Sequence, residues 1–516
     1  MGKEEEAAIS FKILAAEIPA LPDLPAHSQI DIRYPLMAPY VAAHIYFDAA
    51  TSEILYTMEE PALDEREWAT LKQVEEGIEE LINLSVLNVR NAEAVISYLE
   101  KNIRVILDEL GMKITQDSFV KMMYYVYRDF VGLNEIEPLM RDYFIEDIEC
   151  NGLNTPLYIV HRKYGNLKTN IIFKDERYLE SFVEKLAQKC GKYVSYARPL
   201  LDAQLPDGSR INATFSQDIS ARGPSFSIRK FTKEPFTPIK LMQMNTVSPE
   251  VLAYLWMLIE HEANIMIIGA TGSGKTSFVN SLAFFIPPQA RIVSIEDTRE
   301  LSLLHENWLP SVAREGFGIG EGSEIDLFTL LRESFRQRPD YVIVGEIRGK
   351  EAYVLFQGAA SGHSVMSTMH AEDVQTMIRR LETQPINLSP SLVNSLDVVC
   401  SMISTKLKNQ EVRRLKEVVE IVEIGNELGS VATNTPFTWE PRTDTFFFKT
   451  DSVVFDKILR QRGLSKEVLE REFRIRSELL MQMYRQGIIQ PKEVQEVIHA
   501  YYKNPRSVLD HFHITL

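Results

Sequence analysis

Apolar positions along the chain change period several times, and each change predicts a different element. Residues 7–17 (AISFKILAAEI) have the spacing of a short amphipathic helix, followed by the proline-rich connector IPALPDLPAHS. This leader reads as a loosely packed segment, or more sharply as a docking helix for a partner. Over residues 39–60 the runs YVAAHIYF and EILYTM alternate about the turn DAATS, the period-two pattern of a hairpin. The period then lengthens. Leu71, Val74, Ile78 and Leu81, then Ile96, Leu99, Ile103 and Leu110, then Phe119, Met122, Val126 and Phe130 predict a small helical bundle.

Strand patterning returns at Asp147, with turn signals at Asn151-Gly152 and Gly165-Asn166, and a helix near 178–189 is predicted to end at Gly191. Residues 197–231 hold two strand-like runs around SQDISARGPS, and KEPFTPIK (233–240), with two prolines, reads as a linker. From Asn264 to about Val399 buried strands alternate with helices, the signature of a parallel α/β sheet. The charged tail from 451 reads as an appended helical bundle. The expected organisation is leader and hairpin at 1–60, helical bundle at 61–144 and an α+β subdomain at 145–232. The linker 233–240, an α/β domain at 241–435 and a helical extension at 436–516 complete it.

Composition narrows the class. The 516 residues are 45% hydrophobic and 25% charged, ordinary globular values. A net charge of −16 argues against a mainly nucleic-acid-binding surface, which needs clustered Lys and Arg. Cys150, Cys190 and Cys400 are too scattered for a disulfide framework or a cysteine zinc site, and they fit a reducing, cytoplasmic setting. The longest apolar runs fall far short of the ~20 residues that span a bilayer, so any membrane contact is expected through a partner. The acidic start MGKEEEAAIS matches neither a secretory signal nor, with Glu6, a myristoylation site.

One motif carries specific chemistry. In NIMIIGATGSGKTSFVNSLAFFIPP an apolar strand runs into Gly269, Ala270, Thr271, Gly272, Ser273, Gly274, Lys275 and Thr276, with Ser277 and a helix after them. This is G-x-x-x-x-G-K-[ST] in the strand–loop–helix context that a phosphate-binding loop requires. Its backbone N–H groups and the helix N-terminus favour phosphate oxygens. Lys275 is expected on the β- and γ-phosphates of ATP, and the Thr276 hydroxyl on Mg²⁺.

Hydrolysis needs carboxylates at the same place. The strand RIVSI (291–295) runs into the acids of EDTRE, and YVIVGEIRG (341–349) ends in Glu346, a candidate for supporting Mg²⁺ through its waters. In such sheets ligands sit beyond the carboxyl ends of the strands. Positive charge for the γ-phosphate is open among Arg210, Arg222 and Arg229 upstream, because many such enzymes take an arginine from a neighbour. In SGHSVMSTMH the two histidines bracket a predicted strand, Ser364–Met369, which separates them by roughly 20 Å. They therefore share no metal and form no acid–base pair. His370, with Ser367 and Thr368 before it, is placed to sense the γ-phosphate, and His363 is expected to be structural or to contact a neighbouring subunit.

Together GATGSGKT, SIEDTREL, RQRPDYVIVGEIRGKEA and SGHSVMSTMH occur in the order of the type II/type IV secretion ATPases, which this chain resembles from about Ile145 to Cys400. The resemblance implies a RecA-like P-loop ATPase C-terminal domain. It also implies a mixed α+β N-terminal domain with a PAS-like β subdomain, whose arginines correspond best to Arg210 and Arg229. It makes Glu300 the catalytic base and Glu346 the Walker B carboxylate. The chain departs from bacterial pilus ATPases in having EDTRE and in lacking their four-cysteine motif. NWLPSVAR, PINLSPSLV and the WEPRTDTF tail resemble the archaeal branch, and the outer regions are most similar to archaellum motor ATPases. The resemblance further implies a cytoplasmic homo-hexamer that docks on a polytopic membrane platform protein and works with other cytoplasmic motor components. A related pilus-assembly, secretion or DNA-transfer motor would share the core. A nucleic-acid translocase and a non-catalytic nucleotide-binding scaffold are the alternatives of other classes.

Overall fold

The computed structural model describes residues 11–14, 18–19, 21, 27–81, 92–231, 234–314, 325–407, 410–425 and 427–514. Two units, Met1–Phe231 and Thr232–Leu516, are each built on a nine-stranded sheet. Most of the leader lies outside the described residues. Of what is described, Phe11 is buried and stacks on Tyr40 with ring centroids 5.0 Å apart.

The first sheet contains β1 (Asp31–Met37), β2 (Val41–Asp48), β3 (Glu53–Glu59), β4 (Ile145–Cys150), β5 (Pro156–His161), β6 (Gly165–Ile172), β7 (Leu200–Gln204), β8 (Arg210–Thr214) and β9 (Ser225–Arg229). Its order is β1-β2-β3-β6-β5-β4-β9-β8-β7. The hairpin of β2 and β3 is therefore not a separate N-terminal piece. β3 pairs in parallel with β6, Leu55 with Lys168 and Tyr56 with Thr169. That pairing satisfies a strand edge that would otherwise be open, and it brings residues 31–59 into one sheet with residues 145–229. The stretch 197–231 supplies three strands rather than two.

The helices α1 (Glu65–Leu81), α2 (Ala92–Glu109), α3 (Gln116–Val126), α4 (Glu137–Arg141) and α5 (Glu176–Lys189) belong to the same unit. Leu71, Val74, Ile78, Leu99, Ile103, Phe119, Met122 and Val126 share one core with the sheet, whereas Leu110, one residue past α2, is 47% exposed. α5 starts on an Asp175 cap that accepts from Tyr178 N, and the chain leaves it through Gly191 at φ +68°.

The second sheet contains β10 (Ile265–Gly269), β11 (Ile292–Glu296), β12 (Trp308–Val312), β13 (Tyr341–Val344), β14 (Ser364–Met369), β15 (Val398–Leu407), β16 (Gln410–Ile424), β17 (Val431–Glu440) and β18 (Thr445–Phe448). Its order is β12-β11-β13-β14-β10-β15-β16-β17-β18. The first six are parallel, and β15 to β18 continue as an antiparallel edge. Successive residues of a strand point to opposite faces, so Ile265 and Ile267 enter one core while Met266 and Ile268 enter another. Burial on both faces is why β10 and β13 read as unbroken apolar runs.

α6 (Pro238–Gln243) takes up the last residues of the expected linker, with Thr237 as its N-cap. α7 (Pro249–Glu260) and α8 (Lys275–Ala283) pack in the first of the two cores. α9 (Leu327–Ser334), α10 (Glu351–Ala360), α11 (Val374–Glu382) and α12 (Pro390–Val393) contribute to the other. The expected boundary at 436 falls inside β17.

The tail forms α13 (Val453–Arg462), α14 (Lys466–Arg485), α15 (Pro491–Lys503) and α16 (Pro505–His511), which are not an appended bundle. Leu479, Leu480, Met483 and Ile498 are fully buried in the core that also holds α7 and Ile265. Trp256 Nε1 donates to Tyr502 Oη at 2.9 Å, and the Arg476 guanidinium lies over the Trp256 ring at 5.0 Å.

Candidate functional site

The site is built where β10, β11, β13 and β14 end. β10 gives way to a loop that only glycine can follow. Gly269 has φ +152°, and a Cβ there would lie 2.4 Å from Met402 O on β15. Gly274, at φ +93°, caps the start of α8, which leaves the N–H groups of its first turn pointing into the loop. Lys275, the first residue of α8, is 8% exposed, and its Nζ donates to Gly269 O and Ala270 O, each at 3.0 Å. Burial lowers the Lys275 pKa, and Glu346 and Glu300 act against that shift. Thr276 and Ser277 come next on α8, both half-buried.

Glu346 lies two residues beyond the end of β13, in the loop to α10, rather than at the end of the strand itself. Burial pushes its pKa up, but the Arg348 hydrogen bond and charge outweigh burial, with help from Lys275 and His370, and the net shift is downward. Arg348 Nη2 is 2.8 Å from Glu346 Oε2. The Glu346 carboxylate is thus held ionised. The end of β14 is tied to the same loop, because Thr368 Oγ1 donates to Gly345 O at 2.6 Å and Ile347 N donates to Thr368 O at 2.9 Å.

His370 is the first residue after β14, and its Nε2 lies 2.8 Å from Thr271 Oγ1 in the phosphate loop. Burial and then the Lys275 charge lower its pKa, so the ring is neutral near pH 7. The hydroxyls before it do not join it: Ser367 is fully buried and Thr368 is committed to Gly345 O. His363, before the other end of β14, sets its ring edgewise to Phe335 with centroids 4.8 Å apart.

The acidic segment divides. β11 runs one residue further than the pattern RIVSI indicates and takes in Glu296, which is 2% exposed. Its pKa is pushed up to about 7, chiefly by burial. Glu300 is exposed, and its main-chain oxygen accepts from Asn280 Nδ2 at 3.2 Å. Asn280 on α8 and the burial of Glu296 were not singled out from sequence. The available signal for Asn280 was that it is the one side-chain amide of α8.

Arg210 and Arg229 stand opposite one another across β8 and β9 in the other unit. Each is ion-paired, Arg210 with Asp202 at 2.8 Å and Arg229 with Asp147 at 3.1 Å. Arg222 is an exposed residue of the segment between these strands.

The hydroxyl of Thr276 and the ionised Glu346 are hard oxygen donors, the kind Mg²⁺ takes. Among the described residues no group of three or more His, Cys, Asp or Glu could hold a metal on protein ligands alone. Also among the described residues, no helix is long and apolar enough to cross a membrane.

Much of the chain is similar to known proteins. Residues 135–488 match the family described as Type II/IV secretion system protein. MJ0900 of Methanocaldococcus jannaschii is 39% identical over 396 residues, 76% of this chain and 71% of that protein. The type IV secretion system protein PtlH of Bordetella pertussis is 30% identical over 229 residues, 40% of this chain and 66% of its own length. The Legionella pneumophila ATPase DotB aligns over 70% of this chain and 84% of its own, at 17% identity and a TM-score of 0.40. With more than half of its length matched, this chain belongs to the family of type II/IV secretion system proteins.

Proposed function

We propose that this chain is a Mg²⁺-dependent ATPase that works as a homo-hexameric motor of the archaellum, driving its assembly, its rotation, or both. The observation that carries the ATPase reading is the convergence of Lys275, Glu346 and His370 at one end of a parallel sheet, with Glu300 close enough to influence Lys275.

In this reading the N–H groups of the loop and of α8 hold the phosphates, and Lys275 exchanges its carbonyl partners for β- and γ-phosphate oxygens. Thr276 and Glu346 would hold Mg²⁺, which supplies charge neutralisation on the phosphates. Glu300 accepts a proton as water attacks the γ-phosphorus and the bond to the β-phosphate oxygen breaks, giving ADP and phosphate. His370, neutral and hydrogen-bonded to Thr271, reports the γ-phosphate through the loop. Arg210 and Arg229 supply positive charge once they leave their aspartates. Exchange of ATP for ADP then drives a rigid-body movement of the two units, which a membrane platform protein takes up as work.

The archaellum assignment is supported by the archaeal character of NWLPSVAR, PINLSPSLV and the tail. Similarity to PtlH favours a second reading, a motor of type IV secretion with the same chemistry.

ATP turnover of the wild type and Glu346→Gln tests the enzyme. The variant is expected to bind nucleotide and lose at least about a hundredfold in turnover. Equal, negligible rates in both would leave a nucleotide-binding scaffold. Stimulation by single-stranded DNA that fades with salt would favour a translocase. Loss of swimming on deletion of residues 1–30, with ATP turnover intact, separates the archaellum reading from a secretion motor.

A further inference from the structure

Glu296 is a buried acid that the reaction above does not use. A carboxylate withdrawn from water is costly unless its oxygens find donors, and among the described residues only one of them does. Oε1 accepts from Glu300 N and from Leu301 N, both at 2.9 Å. Oε2 is buried and has no hydrogen-bond partner among the described residues. The side chain has little room to turn, because Gly345 lies against it and a Cβ on that glycine would be 3.2 Å from Glu296 Cγ. The far side of the same loop is held by Asn280, whose Nδ2 donates to Glu300 O at 3.2 Å and whose Oδ1 accepts from Ser302 N at 3.0 Å. The main chain of Glu300 is therefore gripped at its N–H by β11 and at its carbonyl by α8. Its side chain is left exposed.

We infer that Glu296 is a positioning residue, which with Asn280 fixes the backbone of Glu300 so that the Glu300 carboxylate is presented to the attacking water. The inference rests on the reading of Glu300 as the base. The grip needs an acceptor oxygen at Oε1 and no negative charge, since the second oxygen meets no donor among the described residues. The rise of the Glu296 pKa to about 7 fits that requirement, because a protonated carboxyl still offers a carbonyl oxygen to both N–H groups. A residue acting as the base itself would instead lose its function when made an amide.

The experiment measures ATP turnover, nucleotide binding and amide hydrogen exchange in the full chain for wild type, Glu296→Gln, Glu296→Ala and Asn280→Ala. Glu296→Gln keeps the acceptor and is expected to retain turnover within about threefold. Glu296→Ala is expected to lose at least about tenfold in kcat with the KM for ATP changed less than about threefold, and to exchange the Glu300 and Leu301 amides faster. Asn280→Ala, which frees the other side, is expected to lower kcat in the same sense and serves if Glu296→Ala does not fold. Glu296→Gln as slow as Glu296→Ala would assign Glu296 to the chemistry and overturn the inference, as would an unchanged kcat in Glu296→Ala and Asn280→Ala. A wild type without ATP turnover would instead remove the reading of Glu300, and amide exchange would still judge the grip. Unchanged exchange at Glu300 and Leu301 in Glu296→Ala would end it.

Discussion

His363 and His370 flank the six-residue β14, and their surroundings give them different work. His370 reaches the phosphate loop through Thr271, while His363 packs on Phe335. His370→Ala is expected to cut ATP turnover at least about tenfold, because it breaks the link between the end of β14 and the loop. His363→Ala removes an edge-on ring contact and is expected to cost about 1 kcal/mol of stability with turnover little changed. Turnover measured beside thermal denaturation separates the two, and the reverse order would contradict the placement. Glu296 adds a pH signature. Its pKa is raised from 4.5 to about 7, so between those values the folded protein keeps a proton that the unfolded chain has released. Stability must then fall as pH rises through that window and level off above it, by at most ~3 kcal/mol. Glu296→Gln lacks that slope. Denaturant midpoints at pH 5 and pH 8 should therefore show the wild type losing ground to the variant, and parallel losses would refute the raised pKa. At this scale the placement of Lys275 and Thr276 at the start of α8 was legible, because the motif itself fixes where the loop gives way to the helix. The burial of Glu296 was not, since it turns on β11 extending one residue further.

Elements were legible where burial on two faces leaves a continuous apolar run, as in β10 and β13. They were hidden where the partner is remote in sequence. Alternation in β3 announces a strand and its hairpin mate β2, but nothing in residues 53–59 points to β6 more than 100 residues on. The tail shows the same limit. Its charge reads as a free-standing bundle, yet its apolar stripe covers α7 and the sheet. Buried Arg476 lies over Trp256 and pairs with Glu260, and Tyr502 Oη donates to Phe285 O at 2.6 Å, just beyond α8. Truncation after Thr450 would uncover Trp256, Phe285 and the neighbouring core residues at once. Burying a large apolar side chain contributes about 1.5–3 kcal/mol, and a domain's whole margin is about 5–15 kcal/mol. A chain ending at Thr450 is therefore expected to be insoluble or to melt far below the full chain. Light scattering and a thermal scan check this, and a soluble truncation with full nucleotide binding would restore the appended-bundle reading.

The whole molecule distributes its candidate chemistry over two units. Lys275, Glu346, Glu300 and His370 belong to Thr232–Leu516, and Arg210 and Arg229 belong to Met1–Phe231. Each arginine has an aspartate partner, so either can serve a nucleotide only by exchanging a carboxylate for phosphate oxygens. Exposed ion pairs of this kind contribute about 0–1 kcal/mol, a barrier that a triphosphate overcomes easily. Whether the exchange occurs within a subunit or toward a neighbour can be read by mixing inactive chains. Arg229→Ala retains an intact Glu346, and Glu346→Gln retains an intact Arg229. If the arginine serves its own subunit, no subunit in the mixture carries a complete set and activity stays at background. If it serves the neighbour, a ring assembled at random from equal amounts has both groups at about a quarter of its interfaces, and turnover should return to roughly that fraction of wild type. Sedimentation of the mixture with ATP must show a ring for the arithmetic to apply. A strictly monomeric protein with and without ATP would remove the ring itself, and recovered activity above background would place the arginine in trans.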